Sequence, residues 1–227
     1  MDLIGLAKFE VISYEFLLRN AAAHNLPPPT FCCPRSVFVD FCSATNNSVL
    51  CLEKIGARIG DQRSTTPKFE EGREMMVTIA KMHAYFWPDK DGTFGHPEVK
   101  RLNTSVTPVF KIVAVKLRLL FTRCMKLMKE TNGYELEPEI QKRILKTVPH
   151  GVMKILEWSE HSPFKTVCHG DARLDNYFFA EKSDGTGEGG LFDFALMLRA
   201  PVFYDLSWML THSWPNEFQN EHEEEFL

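Results

Sequence analysis

The 227-residue sequence predicts an α+β fold in which a small strand-bearing lobe precedes a mainly helical remainder. Three observations predict it. An early helical stretch is followed by two short apolar runs split by Asn46-Asn47. A polar, glycine-bearing connector over 56–67 separates these from the rest of the chain. After further helical stretches, the pattern changes near residue 163 to short β-prone runs between polar turns.

In order, residues 8–24 read as a helix rich in Leu, Ala, Glu and Arg, stopped by Leu26-Pro27-Pro28-Pro29. The runs 36–42 and 48–53 form a β-hairpin, because Asn tolerates the left-handed conformation of a tight turn. A second helix, 69–87, ends at Pro88 and the Asp91-Gly92 turn. Residues 109–129 form an amphipathic helix, with Lys111, Lys116, Arg118, Arg123, Lys126 and Lys129 in an arc of roughly 160°. The expected reading is a core helix with a solvated face rather than a membrane-surface helix. Residues 139–159 are helical, with Pro149 a candidate kink. Strand-like runs follow at 164–168, 177–179 and 191–194, with a flexible glycine-rich loop over 183–190 between the last two. A helix over 204–214 precedes an acidic, solvent-facing end, 217–227.

The charge balance, 30 acidic against 26 basic residues for a net −4, is too mild for a nucleic-acid binder, and no basic block stands out. Six cysteines lack metal-site spacing and read as reduced thiols in a cytoplasmic protein. Asp2, Lys8 and Glu10 interrupt any signal-peptide pattern. The most apolar long window, 191–210, contains Asp193, Arg199 and Asp205, which excludes a transmembrane helix there. A soluble protein without a membrane partner is expected.

The chemistry concentrates in Cys168-His169-Gly170-Asp171-Ala172-Arg173-Leu174-Asp175-Asn176. Phosphoryl transfer to a hydroxyl needs a carboxylate near the attacking oxygen and oxygen ligands that hold Mg²⁺ on the phosphates. Asp171 and Asn176, on one tight loop, supply one of each. Asp193 lies in an apolar run, where a carboxylate is costly unless paired or metal-bound. It supplies the acidic metal ligand that the first loop lacks. One hairpin between Asp171 and Asp193 brings the two loops side by side. The bland readings are a structural His-Gly-Asp turn and an Asp193 paired with Arg173 or Arg199. The two halves together, each in strand context, outweigh them. His169 props its loop rather than exchanging protons. Asp205 caps the following helix or anchors the catalytic loop. Arg173 and Asp175 read as loop charges.

On His169-Gly170-Asp171-x4-Asn176, Asp193-Phe194 and Pro201-x2-Tyr204-Asp205-Leu206, the sequence resembles the aminoglycoside phosphotransferase and choline-kinase-like superfamily, with its ecdysteroid-kinase-like relatives. Upstream, Leu50-Cys51-Leu52-Glu53-Lys54 is similar to the last small-lobe strand entering the hinge. Ile79-Ala80-x-Met82-His83-Ala84 is similar to the family's Leu-Ala-x-Leu-His-Ala helix. The resemblance implies a two-lobed protein-kinase-like fold. Its incomplete small N-lobe and hinge would span 1–55, and a mainly helical C-lobe with the catalytic and metal-binding loops would span 56–227. It further implies ATP and Mg²⁺ as cofactors, Asp171 as catalytic base and Asn176 and Asp193 as metal ligands. The backbone of Glu53, Lys54 and Ile55 would face the nucleotide, and Glu15 would be the helix glutamate that pairs with the family's nucleotide-binding lysine. Neither that lysine nor the phosphate-covering loop precedes Glu15, so the chain reads as N-terminally truncated. Losing that stabilisation weakens catalysis substantially.

The expected activity is ATP- and Mg²⁺-dependent phosphorylation of a small molecule's hydroxyl group. Its rivals are a catalytically impaired relative that binds nucleotide or metabolite without turnover, and a metal-dependent hydrolase built on His169, Asp171 and Asp193.

Overall fold

The computed structural model describes residues 3–19, 26–45, 47–60, 67–104, 108–181 and 187–226. They form two compact units, Met1–Asn103 with Phe164–Leu227, and Thr104–Pro163.

In the first unit, helix α1 (Leu3–Ile12) widens into a π-helical turn, Ser13–Arg19. The expected helix over 8–24 therefore starts earlier and is not α-helical to its end; residues 20–25 lie outside the described residues. Ser13 contributes to the change. Its hydroxyl donates to the carbonyl of Phe9, four residues back, a bond that competes with the regular helical ladder. Strands β1 (Ser36–Cys42) and β2 (Asn47–Leu52) form the expected antiparallel hairpin, with Val39 opposite Leu50. Val39, Leu50 and Leu52 pack inward against the core, while Phe38 and Val49 stay exposed.

A two-residue strand, β3 (Arg58–Ile59), leads to helix α2 (Phe69–Tyr85). Glu71 anchors the start of α2 by accepting the Lys68 N–H at 3.0 Å and pairing with Arg58. Met75, Thr78, Ile79, Met82 and His83 are its buried stripe, at the three- and four-residue spacing of one helix face. Burying each of the three apolar side chains fully is worth ~1.5–3 kcal/mol. Around them gather Tyr14, Phe31, Leu174, Tyr177, Leu191 and Phe194, all part of one core cluster.

A 3-10 turn (Pro97–Arg101) and strand β4 (Asn103–Thr104) follow. The second unit is a helical hairpin of α3 (Pro108–Asn132) and α4 (Pro138–His161), which pack together and match the two predicted helices. On α3, Lys126 pairs with Glu130 and Lys129 with Glu135, all four exposed, so this part of the basic arc is a solvated charged face.

The C-terminal part of the first unit holds β5 (Lys165–Cys168), β6 (Tyr177–Glu181), β7 (Gly187–Leu191), β8 (Leu198–Pro201), α5 (Phe203–Ser213) and α6 (Asn216–Phe226). Among the described residues the strands form sheets ordered β1-β2, β3-β6-β7 and β4-β8-β5. Strands β6 and β7 form an antiparallel hairpin with Tyr177 opposite Leu191, and β5 pairs antiparallel with β8. The strand expected over 191–194 lies earlier, in the segment read as a flexible loop. Glycine allows it. A Cβ on Gly190 would stand 2.1 Å from the ring of Phe178, so only a bare backbone lets β7 lie against β6 there. The acidic end is helical, and Phe218 buries itself in the core. No helix of the described residues is long and apolar enough to cross a membrane.

Gly190→Ala is expected to cost about 1–3 kcal/mol, because the buried Phe178 ring must move to admit the methyl group. A calorimetric melting temperature equal to the wild type's would show that the hairpin has room to spare.

Candidate active site

Each of the two loops leaves the end of a strand. The first follows β5 and runs through His169 to a 3-10 turn, Leu174–Asn176, before entering β6. The second follows β7, passes through Phe192 and Asp193, and becomes a 3-10 turn, Phe194–Leu196. One residue joins them. The Phe192 N–H donates to the Asn176 carbonyl at 3.1 Å, and the Phe192 carbonyl accepts from His169 Nε2 at 2.9 Å. Gly170 makes the approach possible. Its φ is +87°, and a Cβ there would lie 2.0 Å from the Leu196 carbonyl oxygen.

Within the first loop, Asn176 Nδ2 donates to the Asp171 carbonyl at 2.8 Å and to Asp171 Oδ2 at 3.1 Å. The amide is thereby oriented, and its carbonyl oxygen is the end not turned to Asp171. Arg173 Nε donates to Asp171 Oδ2 at 3.2 Å, and Arg173 also stands 3.8 Å from Asp175. Arg173 and Asp175 are therefore paired loop charges. His169 is spent at both ring nitrogens. Nε2 donates to the Phe192 carbonyl, and Nδ1 accepts the Asp171 N–H at 3.3 Å. A ring bonded on both sides is no metal ligand, which removes the basis of a hydrolase centred on His169.

Beneath the first loop lies Asp205, fully buried near the start of α5. Its Oδ2 accepts the His169 N–H at 2.8 Å and its Oδ1 the Gly170 N–H at 2.9 Å. His83 Nε2, from α2, donates to the same Oδ2 at 2.9 Å, and the Thr166 hydroxyl donates to the His83 carbonyl at 2.9 Å. Burial pushes the Asp205 carboxyl up, but the His83 hydrogen bond and charge, with the loop N–H groups, hold it below its ordinary value. Of the two sequence readings of Asp205, the geometry is that of the loop anchor. Cys168 lies within 4.8 Å of His83 and Asp205. Burial keeps its thiol protonated well above the usual range, and it donates to the carbonyls of Ala200 and Pro201. His83 Nε2, both Asp205 oxygens and Cys168 Sγ each already have a hydrogen-bond partner within the protein.

Asp193 has φ 63° and ψ 64°, is partly exposed, and directly follows Phe192 in the chain. Its N–H donates to the Tyr14 hydroxyl at 3.3 Å. Glu10, half-buried on α1, titrates above its ordinary value through burial and the charge of Asp193. Glu15 is half-buried in the π-turn. Asn176 and Asp193 offer only hard oxygen donors, the set that suits Mg²⁺. Glu53, Lys54 and Ile55 follow β2 without regular structure, and Glu53 closes on Arg35, accepting its N–H at 2.8 Å. The structure thus gathers His169, Asp171, Asn176, Asp193 and Asp205, while no described hydrogen bond or ion pair brings Glu53–Ile55 to either loop.

Sequence reasoning missed Ser13, Tyr14 and Glu10 on the first helix, and passed over the hydrogen bonding of His83. A signal for His83 existed: it falls on the apolar stripe of α2, where a buried imidazole needs a partner.

Asp205→Asn is expected to destabilise the protein by about 3 kcal/mol in urea titrations, since an amide cannot satisfy all three donors. The Asp205 carboxyl sits lower in the folded state than in the unfolded one. Its contribution is therefore complete above the ordinary aspartate value of about 3.9 and is lost as pH falls through the folded value. Wild-type stability should fall more steeply than the variant's on acidification below about pH 4. Parallel curves would contradict the assignment.

Residues 17–227 match the model of a phosphotransferase enzyme family, APH. Among solved structures, the chain is similar to the GDP and kanamycin complex of APH(2")-IIia, at 12% identity and a TM-score of 0.53, covering 96% of this chain and 66% of that one. A choline/ethanolamine kinase family protein from Mesorhizobium loti is 14% identical with a TM-score of 0.54, covering 97% and 61%. The GDP complex of wild-type aminoglycoside 2'-phosphotransferase-IIIa is 13% identical with a TM-score of 0.52, covering 92% and 62%. The chain spans 61–66% of the length of these structures. No curated protein matches by sequence. At these identities the likeness is one of fold: α+β and protein-kinase-like. The family match covers nearly the whole sequence, and the chain belongs to the phosphotransferase enzyme family.

Proposed function

We propose that this protein is an ATP- and Mg²⁺-dependent phosphotransferase that phosphorylates a hydroxyl group of a small molecule. The observation that supports the reading is the double hydrogen bond at Phe192, which ties the residue next to Asp193 to the loop of Asp171 and Asn176. In this reading Asp171 accepts a hydrogen bond from the substrate hydroxyl and receives its proton as the new bond forms. The Arg173 Nε bond to Asp171 Oδ2 would help hold that carboxylate in one orientation toward the hydroxyl. The Asn176 side-chain oxygen and the Asp193 carboxylate would hold Mg²⁺, which when bound neutralises charge on the phosphate oxygens. The backbone of Glu53, Lys54 and Ile55 would receive adenine, while His169, Asp205 and Glu15 support the site. Residues 1–55 would then be the partial small lobe and hinge, and 56–227 the helical lobe. Six free cysteines suit a reducing, cytoplasmic setting.

The test is a titration of ATP with and without Mg²⁺, followed by assays of hydrolysis and of transfer to a panel of hydroxyl-bearing acceptors. Mg²⁺ is expected to tighten ATP binding in the wild type and to lose that effect in Asp193→Ala. Asp171→Ala is expected to lower turnover by about 100-fold or more with ATP affinity retained. Mg²⁺-dependent binding with no turnover on any acceptor would support the reading of a catalytically impaired binder. Turnover unchanged in Asp171→Ala would overturn the assigned base.

A further inference from the structure

We propose that Ser13 and Tyr14 are positioning residues for Asp193: their hydroxyls, presented where α1 widens into the π-turn, hold the Asp193-Phe194 backbone in its left-handed conformation and so aim the Asp193 carboxylate. What that aim serves rests on the reading of Asp193 as a Mg²⁺ ligand; the clamp itself rests on geometry alone.

Asp193 is the one positive-φ residue other than glycine among the described residues. An L-residue there carries steric strain and persists only where its surroundings over-determine it. The surroundings are on α1 and the turn after it. The Tyr14 hydroxyl accepts the Asp193 N–H at 3.3 Å, and the one Ser13 hydroxyl proton is shared between the Phe194 carbonyl at 3.0 Å and the Phe9 carbonyl at 2.9 Å. One bond grips the backbone before the Asp193 side chain and the other grips it after. The Tyr14 ring meets Phe194 edge-on, with centroids 5.3 Å apart, which fixes the residue between the two bonds. Both Ser13 and Tyr14 are fully buried. Water is therefore no ready substitute for either hydroxyl, and an unpaired polar group there would be costly.

The local helix geometry explains how consecutive residues serve one loop. Side chains of neighbours on an α-helix diverge by about 100°. At Ser13 the ladder loosens to π geometry, and the Ser13 hydroxyl also bonds back to Phe9. Such bulges occur frequently at functional sites. Glu10, three residues before Ser13 on α1, is raised above its ordinary value by burial and, second, by the Asp193 carboxylate, so the interaction between the two acids is unfavourable.

Tyr14→Phe keeps the ring and removes the clamp, and Ser13→Ala does the same on the other side. Amide hydrogen exchange by NMR on the ligand-free protein reads the clamp directly. The Asp193 N–H is expected to exchange about fivefold faster in Tyr14→Phe, while the Leu191 N–H, bonded to the Cys32 carbonyl, keeps its rate. Ser13→Ala is expected to loosen the Asp193-Phe194 segment without changing Leu191. Asp193 exchange at the wild-type rate in Tyr14→Phe, or equal acceleration along the whole β6–β7 hairpin, would overturn the proposal. A Mn²⁺ titration in the presence of ATP then reads the consequence: both variants are expected to need several-fold more metal at similar ATP affinity. Wild type that binds no Mn²⁺ would remove the metal reading, while the exchange rates would still decide whether the clamp exists.

Discussion

The Asp205 carboxylate is a full charge with no access to water, and the first loop is shaped around keeping it satisfied. Three N–H groups converge on it, two from the His169 and Gly170 backbone and one from His83. An isolated charge so buried would be prohibitively costly, so the donors cannot leave without a large loss. The backbone at His169 and Gly170 is held in one arrangement for that reason. From that fixed point His169 reaches across to Phe192, and Phe192 fixes where the second loop begins. Asp171, Asn176 and Asp193 take their places as the outcome of one electrostatic requirement beneath them.

Helix α2 acts as the common reference for both loops. His83, at its C-terminal end, donates to Asp205 below the first loop. Two turns earlier, Glu74 accepts the Gly189 N–H at 3.2 Å and so holds β7, the strand that delivers the second. Between these polar ties the helix buries Met75, Ile79 and Met82 in the core. A rigid rod tied to both loops converts apolar packing into relative placement of the two. A helix seated by apolar burial alone could rotate or slide at small cost; the polar ties at Glu74 and His83 remove that freedom.

Much of this was legible in the sequence, and the parts that were not share a cause. The helices over α2, α3 and α4 were readable because their periodicity is local. The β1–β2 hairpin was readable too, although Asn47 lies in β2 rather than in the turn and Asn46 lies outside the described residues. Strand β7 was misread because glycines look the same to local reasoning whether they mark flexibility or close packing; Phe178 against Gly190 decides it. The partners of His83 and Tyr14 lie 122 and 179 residues away. No windowed pattern can reveal a bond at that separation. The π-turn escaped notice for the same reason, since one of the bonds that Ser13 makes there ends on Phe194.

The two loops solve the same steric problem in opposite ways. Each requires one left-handed residue, Gly170 in the first and Asp193 in the second. Glycine adopts that conformation without a Cβ penalty, whereas aspartate bears strain, and a fold indifferent to side chain would place glycine at both. At Gly170 the Leu196 carbonyl forbids any side chain, so sterics alone account for the choice. At Asp193 the fold instead keeps a carboxylate on a strained backbone, with Glu10 interacting unfavourably with it, and the Tyr14 and Ser13 hydroxyls bond the main chain on either side. Packing gives no reason for that arrangement. A cation between Asn176 and Asp193, as proposed, gives one: it turns an unfavourable concentration of negative charge into an attractive one and offsets the strain of holding the carboxylate there.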